Sequence, residues 1–397
     1  MPTLREGGPE EAGFHPDRLA LVRQRAEEWV TERDVHRTLV LLVARNGVIA
    51  LHEAFGVDGP ESTAEPLTVD AIFPIFSQSK PITATLIMQL AEDGLVGLAR
   101  PVQDYLPEFV GARKDEVLVH HLITHTSGID DDDLPVVLSR LLPHMMGSAA
   151  NAAPGRHPVE HLLLELAYVW PVAHAVGEVM RYCSVNYLLL GEIVRRASGR
   201  SLDELARDRI FDPLGMDDTS FGLPDDRADR LVRHDVTGDP GAAFLHSARG
   251  RGMLGGAGGA FSTARDLATF MQLFLDRGTS IGGRILHPSS VERMTTDQLP
   301  GVPSKFFEHT LRSASMGLGW MVGNSEPTLG WPLPPDGSLM HGGAGLILPW
   351  ADPRRGVVGV FCSVADRMRV EDGSPVGTYH HGDLFVSMVT AAVDDPP

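Results

Sequence analysis

The sequence predicts an α/β protein of the α+β type: an antiparallel sheet flanked by helices, with a largely helical region inserted between the two halves of the sheet. Three observations predict it. Near the N-terminus a helix pattern leads directly into two strand patterns joined by a hairpin turn, which argues against a doubly wound parallel sheet. The middle of the chain reads as one helix pattern after another. The last third returns to strand patterns and closes on a helix.

The first helix is read from Asp17 to Glu32, where Leu19, Leu21, Val22, Ala26 and Trp29 recur at helical spacing. Thr38–Ala44 and Val48–Phe55 read as strands, and the Arg45-Asn46-Gly47 link between them is a strong hairpin signal. Next comes Ser77-Gln78-Ser79-Lys80 running into a helix with apolar Ile82, Leu86, Met88 and Leu90 and a stop at Asp93-Gly94. Pro81 lacks an N–H and is comfortable only within about the first turn, which puts Ser77 at or near the helix N-terminus. Residues three apart share a helix face, so Lys80 can turn its amine towards the Ser77 hydroxyl. A serine hydroxyl is a weak nucleophile that needs a neighbouring base. A lysine serves only if desolvation or a nearby cation keeps it neutral. Four residues of this kind also occur by chance, so the pair alone does not decide the function.

Val119–Gly128 reads as a short helix stopped at glycine. His121 and His125 stand four apart, a metal-binding spacing on a helix, but no Glu follows the first and no third ligand is evident, so both are expected to pack and no metal is expected. The acidic run Asp130–Asp133 reads as a solvated loop. Beside it Leu134–Met146 is unusually apolar, either a core helix or part of a substrate-covering lid. Helices are expected over His157–Val169, over Tyr187–Val194 to a stop at Ser198-Gly199, and over Ser201–Ile210 with Ser201 as cap. A glycine-rich loop from Gly252 leads to Thr263, the expected cap of a helix over Ala264–Leu275. Gly278-Thr279-Ser280-Ile281-Gly282 matches the G-x-S-x-G elbow but follows a helix instead of a strand, and is read as a chance match. Gly317–Val322, Leu339–Leu348 and Gly356–Val364 read as strands, and Asp383–Val393 as the last helix. Residues 1–76 and 285–397 are thus expected to form the sheet region and 77–284 the helical region, with the active site at their junction.

Composition narrows the class. The 397 residues are 43% hydrophobic and 22% charged, ordinary globular values for a chain able to build a large core. A net charge of −18 argues against nucleic acid or an anionic membrane surface as a general partner. Two cysteines, Cys183 and Cys362, exclude a disulfide framework and suit a reducing compartment. No apolar run reaches the roughly 18 residues of a membrane span and no secretory leader is read at Met1–Gly8, so a cytoplasmic protein is expected.

Several short motifs, in this order, resemble those of the serine β-lactamase-like family of class C β-lactamases, D-alanyl-D-alanine carboxypeptidases and their esterase relatives. They are Ser77–Lys80 (S-x-x-K), Leu122-Ile123-Thr124-His125-Thr126-Ser127-Gly128, Tyr182-Cys183-Ser184 with Leu189-Leu190-Gly191, Gly258–Leu267, and His341-Gly342-Gly343. The resemblance implies a β-lactamase/penicillin-binding-protein-like fold without a cofactor. It implies that Ser77 forms an acyl-enzyme, that Lys80 takes its proton, and that Tyr182 passes a proton to the leaving group. It further implies that the N–H groups of Ser77 and Ala344 hold the oxyanion and that Gly343 lets its strand approach the substrate. Two positions depart from the family. Ser184 stands where Y-x-N has its asparagine and offers fewer donors to an acylamino chain. His341 stands where K-T-G has its lysine and is mostly uncharged near neutral pH. Both departures suit a neutral ester better than a β-lactam or peptide carboxylate. The expectation is a carboxylesterase acting on small or medium esters, with an acyltransferase as the main alternative. A D-amino peptidase, a β-lactamase or a catalytically silent binding protein are minor ones.

Overall fold

A computed structural model describes residues 4–31, 36–60, 64–134, 157–233, 240–253, 255–306, 309–323, 332–365 and 376–394. Its main sheet has seven strands: β1 Arg5–Glu6, β2 His36–Arg45, β3 Val48–Gly56, β4 Met321–Val322, β5 Leu339–Met340, β6 Ile347–Asp352 and β7 Val357–Ala365, in the order β1-β3-β2-β7-β6-β5-β4. Every pairing is antiparallel except β1 with β3. The two ends of the chain therefore meet in the centre, where Leu41 of β2 lies opposite Phe361 of β7. The expected antiparallel sheet flanked by helices is the architecture observed.

Period-two alternation explains how this sheet is covered. Leu39, Leu41 and Val43 point to one face and pack with Leu19, Val22 and Trp29 of helix α1, Pro16–Thr31, and with Phe385 and Val389 of the C-terminal helix, Val376–Ala391. Val40, Leu42 and Ala44 point to the other face and join the large core. Both faces are buried, which is why β2 reads as a nearly unbroken apolar run.

The large core is organised around α2, Ser79–Glu92, whose side chains from Ser79 to Leu90 are all buried. Such a helix, enclosed on every side, sits inside a protein and not on its surface. Around it lie α3 Val119–Ile123, α4 Pro158–Val169, α5 Ser184–Ser198 and α6 Ala264–Leu275. Helix α6 packs across the sheet, and α5 packs along α2. Ser201 and Glu204 form a reciprocal capping box, and Thr263 caps α6 by accepting from the Asp266 N–H.

Several boundaries differ from the expectation. The predicted strand Leu339–Leu348 is two strands separated by a turn, where Gly345 and Leu346 take φ +75° and +68°. Only Met321–Val322 of the predicted strand Gly317–Val322 is paired. There Gly319, at φ +90°, lies so close to α2 that a Cβ would sit 2.5 Å from that of Ala84. Helix α3 ends at Ile123, not at Gly128. Helix α5 starts at Ser184, three residues before the apolar run that announces it. After Ala206 the helix capped by Ser201 widens into a π-helical turn, Arg207–Phe211. The last helix begins at Val376, and the G-x-S-x-G match folds as a small hairpin in which the Ser280 hydroxyl donates to the Pro213 and Gly283 carbonyls. The lid candidate Leu134–Met146 lies outside the described residues beyond Leu134.

Candidate active site

The segment entering α2 is held from both sides. Phe73-Pro74 pairs with Ser262 and Phe261, and the Ile75 N–H donates to the Ala260 carbonyl at 3.0 Å. Phe76 then takes φ +47°, an uncommon conformation for a bulky residue, before the 3₁₀ turn Phe76–Gln78. The Ser79 hydroxyl pins this turn: it donates to the Phe76 carbonyl at 2.7 Å and accepts from the Ala260 N–H at 3.0 Å. Ser77 is thereby presented half-buried at the head of α2.

Lys80 follows one turn later with its side chain fully buried. Its Nζ donates to Ser77 Oγ at 2.9 Å and to the Ala257 carbonyl at 2.9 Å. The glycine-rich loop before Ala260 supplies that second partner, and Thr83 anchors the same loop by donating to the Gly256 carbonyl. Gly256 is required there, because a Cβ would meet the Tyr187 carbonyl at 2.8 Å. Burial drives the Lys80 pKa down to about 7, against the opposing pull of Asp131 and Cys183. A substantial neutral fraction near pH 7 is what a base for Ser77 requires.

Tyr182 stands beside this pair, with Lys80 Nζ 4.8 Å from its ring centroid. The ring lies between two imidazoles, 4.6 Å from His125 and 6.0 Å from His341. His125 takes φ +59° beyond the end of α3. It does not share a helix face with His121, whose Nδ1 accepts from the Leu118 N–H. The His125 backbone carbonyl accepts from the Arg181 N–H at 2.8 Å and its Nδ1 accepts from the Cys183 N–H at 3.1 Å, so it holds the chain on both sides of Tyr182. Burial, with Lys80 and His341 adding to it, keeps His125 uncharged.

His341 is buried, and its Nδ1 donates to the Gly342 carbonyl at 3.0 Å. Burial and the neighbouring Lys80 push its pKa down to about 3, so it is neutral at pH 7, as the sequence leads one to expect. Gly343 bridges to Ile347, its N–H donating at 2.7 Å, and packs so tightly that a Cβ would sit 2.4 Å from the Ile75 carbonyl. The glycine thus serves close approach to the backbone just before Ser77. Ala344 follows, exposed, in the turn that Gly345 completes at φ +75°. Ser184 opens α5, and its N–H donates to Asp131.

Ser77, Lys80, Tyr182, His341 and Gly343 are therefore gathered around the head of α2. Sequence reasoning missed His125 as the support of Tyr182, and it misjudged the acidic run. Asp130 and Asp131 do not form a purely solvated loop. Asp130 pairs with Arg181 at 3.2 Å and with His174 at 3.3 Å, and Asp131 accepts from the Ser184 and Val185 N–H groups. The one local hint is that Cys183, the residue preceding α5, supplies no side-chain cap, so the helix needs an acceptor from elsewhere.

The family model described as Beta-lactamase matches residues 22–373. The protein Rv1367c of Mycobacterium tuberculosis is 30% identical over 59% of this chain and 61% of its own length, so the chain spans less than two thirds of that relative. Penicillin-binding protein 4 of Amycolatopsis lactamdurans is 31% identical over 68% of each chain, and esterase EstB of Burkholderia gladioli is 31% identical over 51% of each. Among solved structures, a penicillin-binding protein homologue from Caulobacter crescentus superimposes with a TM-score of 0.73 at 24% identity, over 96% of this chain and 99% of that one. EstCE1, described as a hydrolase with promiscuous acyltransferase activity, superimposes at 0.72 with 19% identity, over 94% and 98%.

Proposed function

The chain belongs to the beta-lactamase family, and from that premise we propose that it is a serine hydrolase working through an acyl-enzyme, a carboxylesterase on small or medium esters. The observation that carries this reading is the 2.9 Å bond between Ser77 Oγ and a buried lysine poised to be neutral near pH 7. Ser77 Oγ adds to the acyl carbon as its proton passes to Lys80. The ester C–O bond breaks, and the alcohol leaves with a proton delivered through Tyr182. Water then adds to the acyl carbon, the bond to Ser77 breaks, and the acid departs with Ser77 reprotonated. The N–H groups of Ser77 and Ala344 are assigned to the developing oxyanion.

The preference for a neutral ester rests on charge. At the place of the family lysine stands His341, buried and uncharged, so no cation is provided there for a substrate carboxylate. The name of the relative EstB supports the same reading. Transfer of the acyl group to an alcohol or amine is the second reading, favoured by the description of EstCE1 and by the shared intermediate. The lid candidate that would shield this intermediate from water, Leu134–Met146, lies outside the described residues beyond Leu134. The test compares p-nitrophenyl butyrate with nitrocefin and a D-alanyl-D-alanine peptide. Hydrolysis of the ester with kcat/KM at least about 100-fold above the two anionic substrates is expected, a difference of roughly 3 kcal/mol. Equal or better turnover of the anionic substrates would overturn the ester assignment. Product ester formed on adding an alcohol, at the expense of acid, would favour the transferase reading.

A further inference from the structure

Lys80 is surrounded by groups from five segments. They are the Ser77 hydroxyl, the Ala257 carbonyl of the glycine-rich loop, the rings of Tyr182 and Tyr187 with the Cys183 thiol, and the imidazoles of His125 and His341. Both imidazoles are uncharged, and burial keeps the Cys183 thiol protonated. Beyond these five, the loop after Gly128 brings the carboxylate that acts on Lys80, that of Asp131.

This carboxylate is fixed. Its Oδ2 accepts from the Ser184 N–H at 2.5 Å and from the Val185 N–H at 3.1 Å, the first two donors of α5, and the Cys183 thiol also bonds to it. The loop carrying it is fastened in turn: the Asp130 carbonyl accepts from Trp170 Nε1 at 2.7 Å, and the Asp130 carboxylate pairs with Arg181 and His174. Asp131 thus holds the helix start directly after Tyr182, opposite the two bonds His125 makes directly before and after it. We propose that Asp131 is a positioning residue of the Ser77–Lys80–Tyr182 group: it fixes the Tyr182 turn on α5, and its negative charge sets how firmly Lys80 keeps its proton. The proposal rests on the hydrolase reading only for its kinetic consequence. Its electrostatic half stands on the protein alone.

The chain has three lysines, Lys80, Lys114 and Lys305, so Lys80 can be followed by NMR in protein labelled with ¹³C at the lysine ε carbon and assigned with Lys80→Met. Asp131→Asn and Asp131→Ser each keep an oxygen able to accept from the α5 N–H groups while removing the charge, so two independent variants carry the test. In both, the Lys80 titration midpoint should fall by about half a pH unit or more. The acid limb of Ser77 labelling by an alkyl fluorophosphonate should move by the same amount, about threefold in relative rate well below the midpoint. An unmoved midpoint in both variants, with Ser77 still labelled, would overturn the proposal and leave Asp131 as a structural cap. A midpoint that falls while Ser77 of the wild type resists labelling would support the role of the Asp131 charge and count against the hydrolase reading instead.

Discussion

At the scale of single residues the account turns on a lysine that the fold makes unusual. Lys80 is buried with no carboxylate in an ion pair with it among the described residues, and two hydrogen bonds aim its amine at Ser77 and Ala257. As the pKa is near 7, the neutral amine prevails above that pH. Esterase kcat/KM should therefore rise with pH through about 7 and level off above it. A rate independent of pH from 5.5 to 8.5 would contradict the role of Lys80. Lys80→Ala should lower kcat by roughly 10²–10⁴-fold, the range for loss of a general base. Tyr182→Phe should lower kcat by at least about 10²-fold while KM and Tm hardly change, because the phenyl ring still packs between His125 and His341. A raised KM with kcat unchanged would mean that the hydroxyl only shapes the pocket. Ser77 and Lys80 were legible because a three-residue spacing on a helix is a local fact. His125 and Asp131 were not, because their work is done on residues 181–185, more than fifty positions away.

At the scale of elements, the site depends on how closely two turns approach. The turn after β5 presses Gly343 against the Ile75 carbonyl, so the turn that supplies Ala344 and the turn that presents Ser77 are set by one contact. Gly343→Ala forces a Cβ to within 2.4 Å of that carbonyl. It should cost about 1–3 kcal/mol of stability through overpacking, and it should reduce kcat by at least tenfold. A variant with wild-type kcat would show that the two turns need not touch. The same contact explains a misreading. Leu339–Leu348 has the apolar character of one strand, and only its glycines hint that the chain turns in the middle to reach α2. Elements whose signal is local were read correctly, such as the Asn46-Gly47 hairpin, the Ser201 cap and the Thr263 cap. Element boundaries without such a local signal, such as the end of α3 at Ile123 and the start of α5 at Ser184, were not.

At the scale of the whole molecule, the sheet joins the two ends of the chain, and Ser77 and Lys80 stand at the head of the buried helix α2. The interior holds several uncharged histidines. Burial keeps the pKa values of His36 and His341 down near 3, and His125 is lowered well below its usual value. Their folded-state pKa values lie below those of the unfolded chain, so their contribution is fully present above pH 6.5 and is lost as pH falls from there towards 3. Each ring weakens the fold by up to about 1.4 kcal/mol per pH unit in that window. Tm should accordingly drop between pH 7 and pH 5, and a flat profile would contradict the burial of neutral imidazoles. The measurement that bears most directly on the central claim is the intact mass of the protein after brief exposure to p-nitrophenyl butyrate and an acid quench, for wild type and Ser77→Ala. The account predicts one added butyryl group on the wild type, located on the peptide containing Ser77, and none on the variant. An adduct of the same size on Ser77→Ala, or turnover of the ester by that variant at the wild-type rate, would contradict it.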